Sequence, residues 1–117
     1  MAATDRPWLS SYRKGTPTDI TLEFVNALDM FKASVARKPD NIAIKYFDAS
    51  ITVAELDAQS TALAAGLLAN GFQAGDRLAV YLQNIPQFLV AMLGTWKAGG
   101  VMVSVNPMNR SRELDYM

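Results

Sequence analysis

Apolar residues at Leu22, Val25, Leu28, Phe31 and Val35 recur at spacings of three and four, which predicts a helix that opens near Thr21 and closes at Lys38-Pro39. Lys32, Arg37 and Lys38 then lie toward its negative end, where cations are favoured. The period changes to two at Ile42, Ile44 and Tyr46, which alternate with Ala43, Lys45 and Phe47 as in a strand with one buried face. Asp48-Ala49-Ser50 supplies turn residues and Ile51 starts a short return strand. Thr52-Val53-Ala54-Glu55 has capping-box spacing, so a helix is expected from Val53 through Leu56, Leu63, Leu67 and Leu68 to Asn70. Gly71 stands where a left-handed residue ends such a helix.

Leu78 to Leu82 is an almost wholly apolar run of strand length, the pattern of a strand covered on both faces. Asn84 is positioned to cap the next helix, with Pro86 in its first turn and Gln87 at the capping-box position. That helix, Pro86 to Ala98, is polar only at Gln87, Thr95 and Lys97, so most of its circumference should be buried. Gly99-Gly100 ends it, and a strand is expected over Val101 to Val105, which completes a strand-helix-strand unit. Asn106-Pro107 breaks that strand, and Ser111 is expected to cap a last helix with Glu113 and Asp115 in its first turn. Isolated helices need about 12 to 15 residues even to be marginal, so a helix cut at Met117 is expected to continue in a longer protein. Residues 1–20 carry Pro7, Gly15 and Pro17 without a period and predict an irregular arm anchored by Trp8, Leu9 and Tyr12.

Composition narrows the chemistry. Eleven Lys and Arg balance eleven Asp and Glu, which leaves no electrostatic case for nucleic acid. The chain has no cysteine and no histidine, so disulfides, thiol nucleophiles and Ser-His or Cys-His mechanisms are excluded within these 117 residues. The stretch from Ile85 to Val105 has the length of a membrane span, but Pro86, Gln87, Lys97 and the paired glycines interrupt it, so no transmembrane segment is expected. No basic, apolar and small-residue succession opens the chain, and a cytoplasmic protein is the expectation.

Each polar motif has a structural explanation. Gly94-Thr95-Trp96-Lys97-Ala98-Gly99 has the glycine spacing and lysine of a phosphate loop, yet its last glycine comes after a helix, whose free carbonyls repel anions. Gly75-Asp76-Arg77 reads as a turn, with Asp76 bonding local backbone N–H groups, in preference to a charged functional pair. Glu55 is accounted for by its cap, and Met92 with Trp96 by a core face. Asn106-Pro107-Met108-Asn109-Arg110 is the segment with the best claim to function, because it comes after the C-terminal end of a strand, where open α/β sheets hold ligands. A turn accounts for it as well. No catalytic, cofactor-binding or metal-binding residue is assigned.

Taken together, Thr52-x-x-Glu55-Leu56, Gly75-Asp76-Arg77, Asn84-x-Pro86, Lys97-Ala98-Gly99 and Asn106-Pro107 resemble, in order and distance, the N-terminal domain of the adenylate-forming enzymes. These include acyl-CoA synthetases, luciferases and peptide-synthetase adenylation domains. Val53 departs from the pattern, since an aromatic residue often comes after the Thr in the family. Arg6-Pro7-Trp8-Leu9, Tyr12, Pro17 and Ile20 are similar to the leader of bacterial long-chain fatty-acid CoA ligases.

The resemblance implies an α/β fold, part of a doubly wound, mainly parallel sheet with flanking helices, in which residues 1–20 are an arm and 21–117 an incomplete N-terminal subdomain. It implies a parent enzyme that uses ATP, Mg2+ and coenzyme A on a fatty acid, with the 117-residue chain inactive alone and a homo-oligomer expected. Peripheral membrane contact is compatible with that chemistry. The family's Gly- and Ser/Thr-rich phosphate loop, aromatic-Thr-Glu motif, ribose-binding Asp and catalytic Lys have no match here. An aryl or amino acid as substrate, or a stand-alone interaction module, are the alternatives.

Overall fold

Asn26 decides where the first long helix starts. In the computed structural model, which describes residues 6–117, its side chain accepts a hydrogen bond from the Asp29 backbone N–H at 2.8 Å and opens α1 (Ala27–Arg37). The helix expected from Thr21 therefore begins later. Leu22 and Val25, which complete the apolar period in the sequence, precede the cap and are exposed. Upstream, Pro7–Ser11 forms a single 3-10 turn in the otherwise irregular arm. Arg6 pairs with Asp19 there and holds its carboxyl below the usual range, by hydrogen bonding first and by charge second. Of the expected apolar anchors, Leu9 is half-buried while Trp8 and Tyr12 stay exposed. Residues 1–5 of the expected arm lie outside the described residues.

The hairpin β1 (Ile42–Tyr46) and β2 (Ala49–Thr52) is antiparallel, with Tyr46 opposite Ala49 and Lys45 opposite Ser50. Its turn is Phe47-Asp48, so Ala49 and Ser50, expected in the turn, belong to the strand. Phe47 makes the tight connection by taking a positive φ of 50°, and its ring lies edge-on to Tyr46 at 4.7 Å.

The capping box at the start of α2 (Val53–Ala69) is present as expected. Thr52 Oγ1 accepts from Glu55 N at 3.2 Å, and Glu55 Oε2 accepts from Thr52 N at 2.7 Å. These hydrogen bonds lower the Glu55 carboxyl from its ordinary value of 4.5. A carboxyl depressed in the folded state stabilises it above the unfolded-state value, and that stabilisation is lost as pH falls through the folded value. Urea melts should therefore show a parent chain that loses stability below about pH 4.5 partly through Glu55, and a Glu55→Gln variant whose acid-induced loss is smaller. Identical pH profiles for the two proteins would count against a stabilising cap.

The second half is a strand-helix-strand unit. β3 (Arg77–Tyr81) and β4 (Val101–Val105) pair in parallel, from Arg77 opposite Val101 to Tyr81 opposite Val105, and α3 (Pro86–Lys97) connects them. The α/β architecture expected from the sequence is thus present, with the strands in two two-stranded sheets, one parallel and one antiparallel. Ile85, in extended conformation, occupies the N-cap of α3 without a side-chain bond, so Asn84 does not cap it. Pro86 at the first position removes one of the N–H groups that a cap would satisfy. The chain ends in α4 (Ser111–Tyr116), where Ser111 is the first helical residue instead of the cap. Glu113 reaches back to the Arg110 N–H at 2.9 Å and does the capping there.

Helix α2 packs on α3, and α3 packs on β3 and β4. Leu56 and Ala64 from α2, Leu93 and Ala98 from α3 and its end, and Val80 and Val105 from the strands form the buried apolar core. The β3 side chains alternate between this core and solvent, with Leu78 and Val80 inward and Ala79 and Tyr81 outward. Among the described residues α3 covers one face of this strand, and Ala79 and Tyr81 on the other face are exposed, where the apolar run predicts cover on both. The apolar stretch 85–105 is divided between α3, a turn and β4, and among the described residues no helix is long and apolar enough to cross a membrane.

Candidate functional site

The parallel strands end side by side, and the segments that lead out of them form the two walls of a groove. On one side stand Leu82, Gln83, Asn84 and Phe88, which run from β3 into α3; on the other, Ser104 to Met108, where β4 gives way to a loop. The groove encloses about 690 Å³ and is open to solvent. Its lining mixes amide, hydroxyl and apolar groups and contains no charged side chain. Its position, at the C-terminal ends of parallel strands, is where open α/β sheets bind ligands.

The Asn106–Arg110 loop, singled out in the sequence, forms one wall and is folded on itself. Asn106 Oδ1 accepts from the Met108 N–H at 2.9 Å and Asn106 O from the Asn109 N–H at 2.9 Å, which accounts for Asn at the start of the turn. Tyr81 at the end of β3 reaches across to it, with its hydroxyl 2.7 Å from Pro107 O and 2.8 Å from Asn109 O. Nothing in the sequence pairs Tyr81 with residues 26 and 28 positions away.

Gly75-Asp76-Arg77 lies away from the groove and is the turn that the sequence suggests. Asp76 Oδ2 accepts from Gln73 N at 2.8 Å, its backbone oxygen accepts from Val101 N at 2.7 Å, and Arg77 is exposed. Trp96 and Met92 are half-buried, as expected of a core face.

A second polar cluster lies between α2 and α3. The Lys97 ammonium is surrounded by Asp57 Oδ1 at 2.6 Å and by Asp57 O, Ser60 Oγ and Thr61 Oγ1, each at 2.8 Å. Ser60 is completely buried, and the Phe31 ring centroid lies 5.6 Å from the ammonium. The sequence pattern marks Lys97 only as a helix-end residue. A signal was available: Asp57, Ser60 and Thr61 at i, i+3 and i+4 form a polar stripe on α2, and Lys97 is the one cation on α3. Every oxygen around Lys97 is already engaged with the protein, so the cluster is a clamp between helices and offers no reactive group.

The residues that line the groove include no acid–base pair. Among the described residues no three His, Cys, Asp or Glu side chains converge where a metal ion could be held.

Comparison with known proteins gives a consistent result. A family model described as AMP-binding enzyme matches residues 31–117. The long-chain-fatty-acid–CoA ligase of Bacillus subtilis is 35% identical over 113 residues, which is 97% of this chain and 20% of that protein. Among solved structures, the N-terminal subdomain of Klebsiella oxytoca NpsA in complex with 3-hydroxyanthranilyl-AMSN superposes with a TM-score of 0.73 at 35% identity, covering 76% of this chain and 23% of that one. The o-succinylbenzoate CoA synthetase of Bacillus subtilis, in complex with an acyl-adenylate intermediate, gives 0.70 at 29% identity over 74% of this chain and 23% of that one. The chain therefore spans about a fifth of the length of each of these relatives.

Proposed function

The chain belongs to the AMP-binding enzyme family, and on that premise we propose that it is the N-terminal portion of a long-chain fatty-acid CoA ligase. The observation that carries the reading is the 35% identity to the Bacillus subtilis ligase along nearly the whole chain. Such an enzyme joins a fatty acid to ATP as an acyl-adenylate with release of pyrophosphate, then passes the acyl group to coenzyme A. A carboxylate is a poor electrophile. Attack of one carboxylate oxygen on the α-phosphorus of ATP breaks the bond to pyrophosphate and makes that oxygen part of an AMP leaving group, which the thiol then displaces at the carbonyl carbon.

The part played by these residues is structural: they build one α/β layer and the groove at its strand ends. ATP, Mg2+ and coenzyme A belong to the proposed parent enzyme, and the described residues form no cluster that fits a divalent ion. A second reading keeps the family and changes the acid. It is supported by the likeness to NpsA, solved with an anthranilyl-type ligand, and to the o-succinylbenzoate CoA synthetase.

Two measurements test the proposal. The 117-residue chain alone should catalyse no ATP–pyrophosphate exchange with palmitate, and exchange above a no-protein control would overturn its purely structural role. The natural reading frame past Met117 should encode a Ser/Thr- and Gly-rich loop followed by a lysine, and its product should exchange pyrophosphate with palmitate in preference to benzoate. Preference for benzoate would select the aryl-acid reading, and a stop codon directly after Met117 would end the ligase reading.

A further inference from the structure

We propose that Tyr81 is a positioning residue, whose hydroxyl latches the Asn106–Arg110 loop to the sheet and so sets that wall of the groove. The latch is a property of the loop itself and stands whichever acid the parent enzyme takes.

The hydrogen bonds of the loop lead to Tyr81. Asn106 bonds to Met108 and Asn109 within the loop, and Arg110 bonds to Glu113 and Leu114 in the adjoining α4. Among the described residues, the Tyr81 hydroxyl is the one hydrogen-bonding group from outside the loop and α4 that reaches the loop, placed between the Pro107 and Asn109 carbonyls. A single hydroxyl proton reaches both carbonyls only from a position between them. The parallel register supplies that place, since Tyr81 lies directly beside Val105, the last residue of β4.

Packing cannot substitute for the latch. Met108 is 84% exposed, Asn106 and Arg110 are exposed, and Pro107 and Asn109 are only half-buried. Tyr81 itself points to the uncovered face of the sheet and is 45% exposed, so it contributes little to the core. Its phenol is therefore spent on the loop, and Phe at this position would keep the β-strand while releasing the wall. The groove is lined by Leu82, Gln83, Asn84 and Phe88 on the side of β3 and α3 and from Ser104 to Met108 on the latched side, so a freed loop changes the groove on one side alone.

The test is amide hydrogen exchange of the Tyr81→Phe variant against the parent chain, read at Met108, Asn109 and Arg110 and, as internal reference, at Leu56 and Ala64 in α2. Loss of one hydrogen-bonding group should speed exchange at the loop about three- to tenfold and leave the reference amides unchanged. Limited trypsin cleavage after Arg110 should accelerate in parallel. Unchanged loop exchange would overturn the latch. Equal acceleration at loop and reference amides would overturn it too, since Tyr81 would then support the whole sheet.

Discussion

The Lys97→Met variant is expected to unfold at a clearly lower urea concentration than the parent chain. Breaking a buried ion pair by removing one partner costs about 3 to 5 kcal/mol, because the other charge is left stranded in low dielectric. Here the Lys97 side chain is 11% exposed but Asp57 is 35% exposed, so water recovers part of the loss and about 2 to 3 kcal/mol remains. Methionine keeps most of the aliphatic stem, so the change reports on the ammonium and its four oxygens more than on lost packing. The double variant Lys97→Met with Asp57→Asn removes the stranded charge and should recover part of that loss. Urea melts of the parent, both single variants and the double variant close the cycle. A Lys97→Met midpoint equal to that of the parent would show that the clamp contributes nothing.

Gly99→Val carries the second large effect. Gly99 has φ of 79°, a conformation that a β-branched residue strongly resists. A Cβ there would also lie 3.3 Å from Ala74 Cβ, in the turn whose Gly75 N–H donates to Gly99 O at 2.9 Å. Strain and crowding act together, and a loss of about 2 to 4 kcal/mol is expected, above the ~1 kcal/mol of a glycine exchange inside a helix. Gly100 fails for a different reason: a Cβ there would stand 2.5 Å from Phe72 Cζ and 3.0 Å from the Asp76 carbonyl oxygen. Its φ is not in the left-handed region. Gly100→Ala should therefore destabilise through contact, and a Phe72→Leu background should relieve it only in part, because the backbone oxygen stays. Urea midpoints of Gly99→Val and Gly100→Ala, alone and with Phe72→Leu, check both statements. A Gly99→Val midpoint within error of the parent would refute the left-handed turn.

The local rules were legible in the sequence wherever they are fixed by nearest neighbours. The Thr52-Glu55 box, the left-handed Gly71, the helix end at Gly99-Gly100, the break at Asn106-Pro107 and the strand-helix-strand order all derive from short-range hydrogen bonding and period. Where several local signals compete, reading along the chain chose wrongly. Leu22 and Val25 continue the apolar period of α1, but Asn26 caps it; Ala49 and Ser50 look like turn residues, but Phe47 accepts the strained position; Asn84 looks like a cap, but Pro86 removes the need for one.

The class of fold and the order of its elements could thus be read along the chain, because periodicity, caps and glycine turns are written within a few residues of one another. Tertiary structure alone decided what those segments meet. Lys97 lies 40 residues from Asp57 and Tyr81 26 from Pro107, and only the packing of α3 on α2 and the parallel register of β3 with β4 bring each pair within hydrogen-bond distance. A charge buried between helices and a hydroxyl aimed at a loop are defined by distance in space: the polar stripe on α2 marks one side of the first contact, and no spacing along the chain names the partner of either.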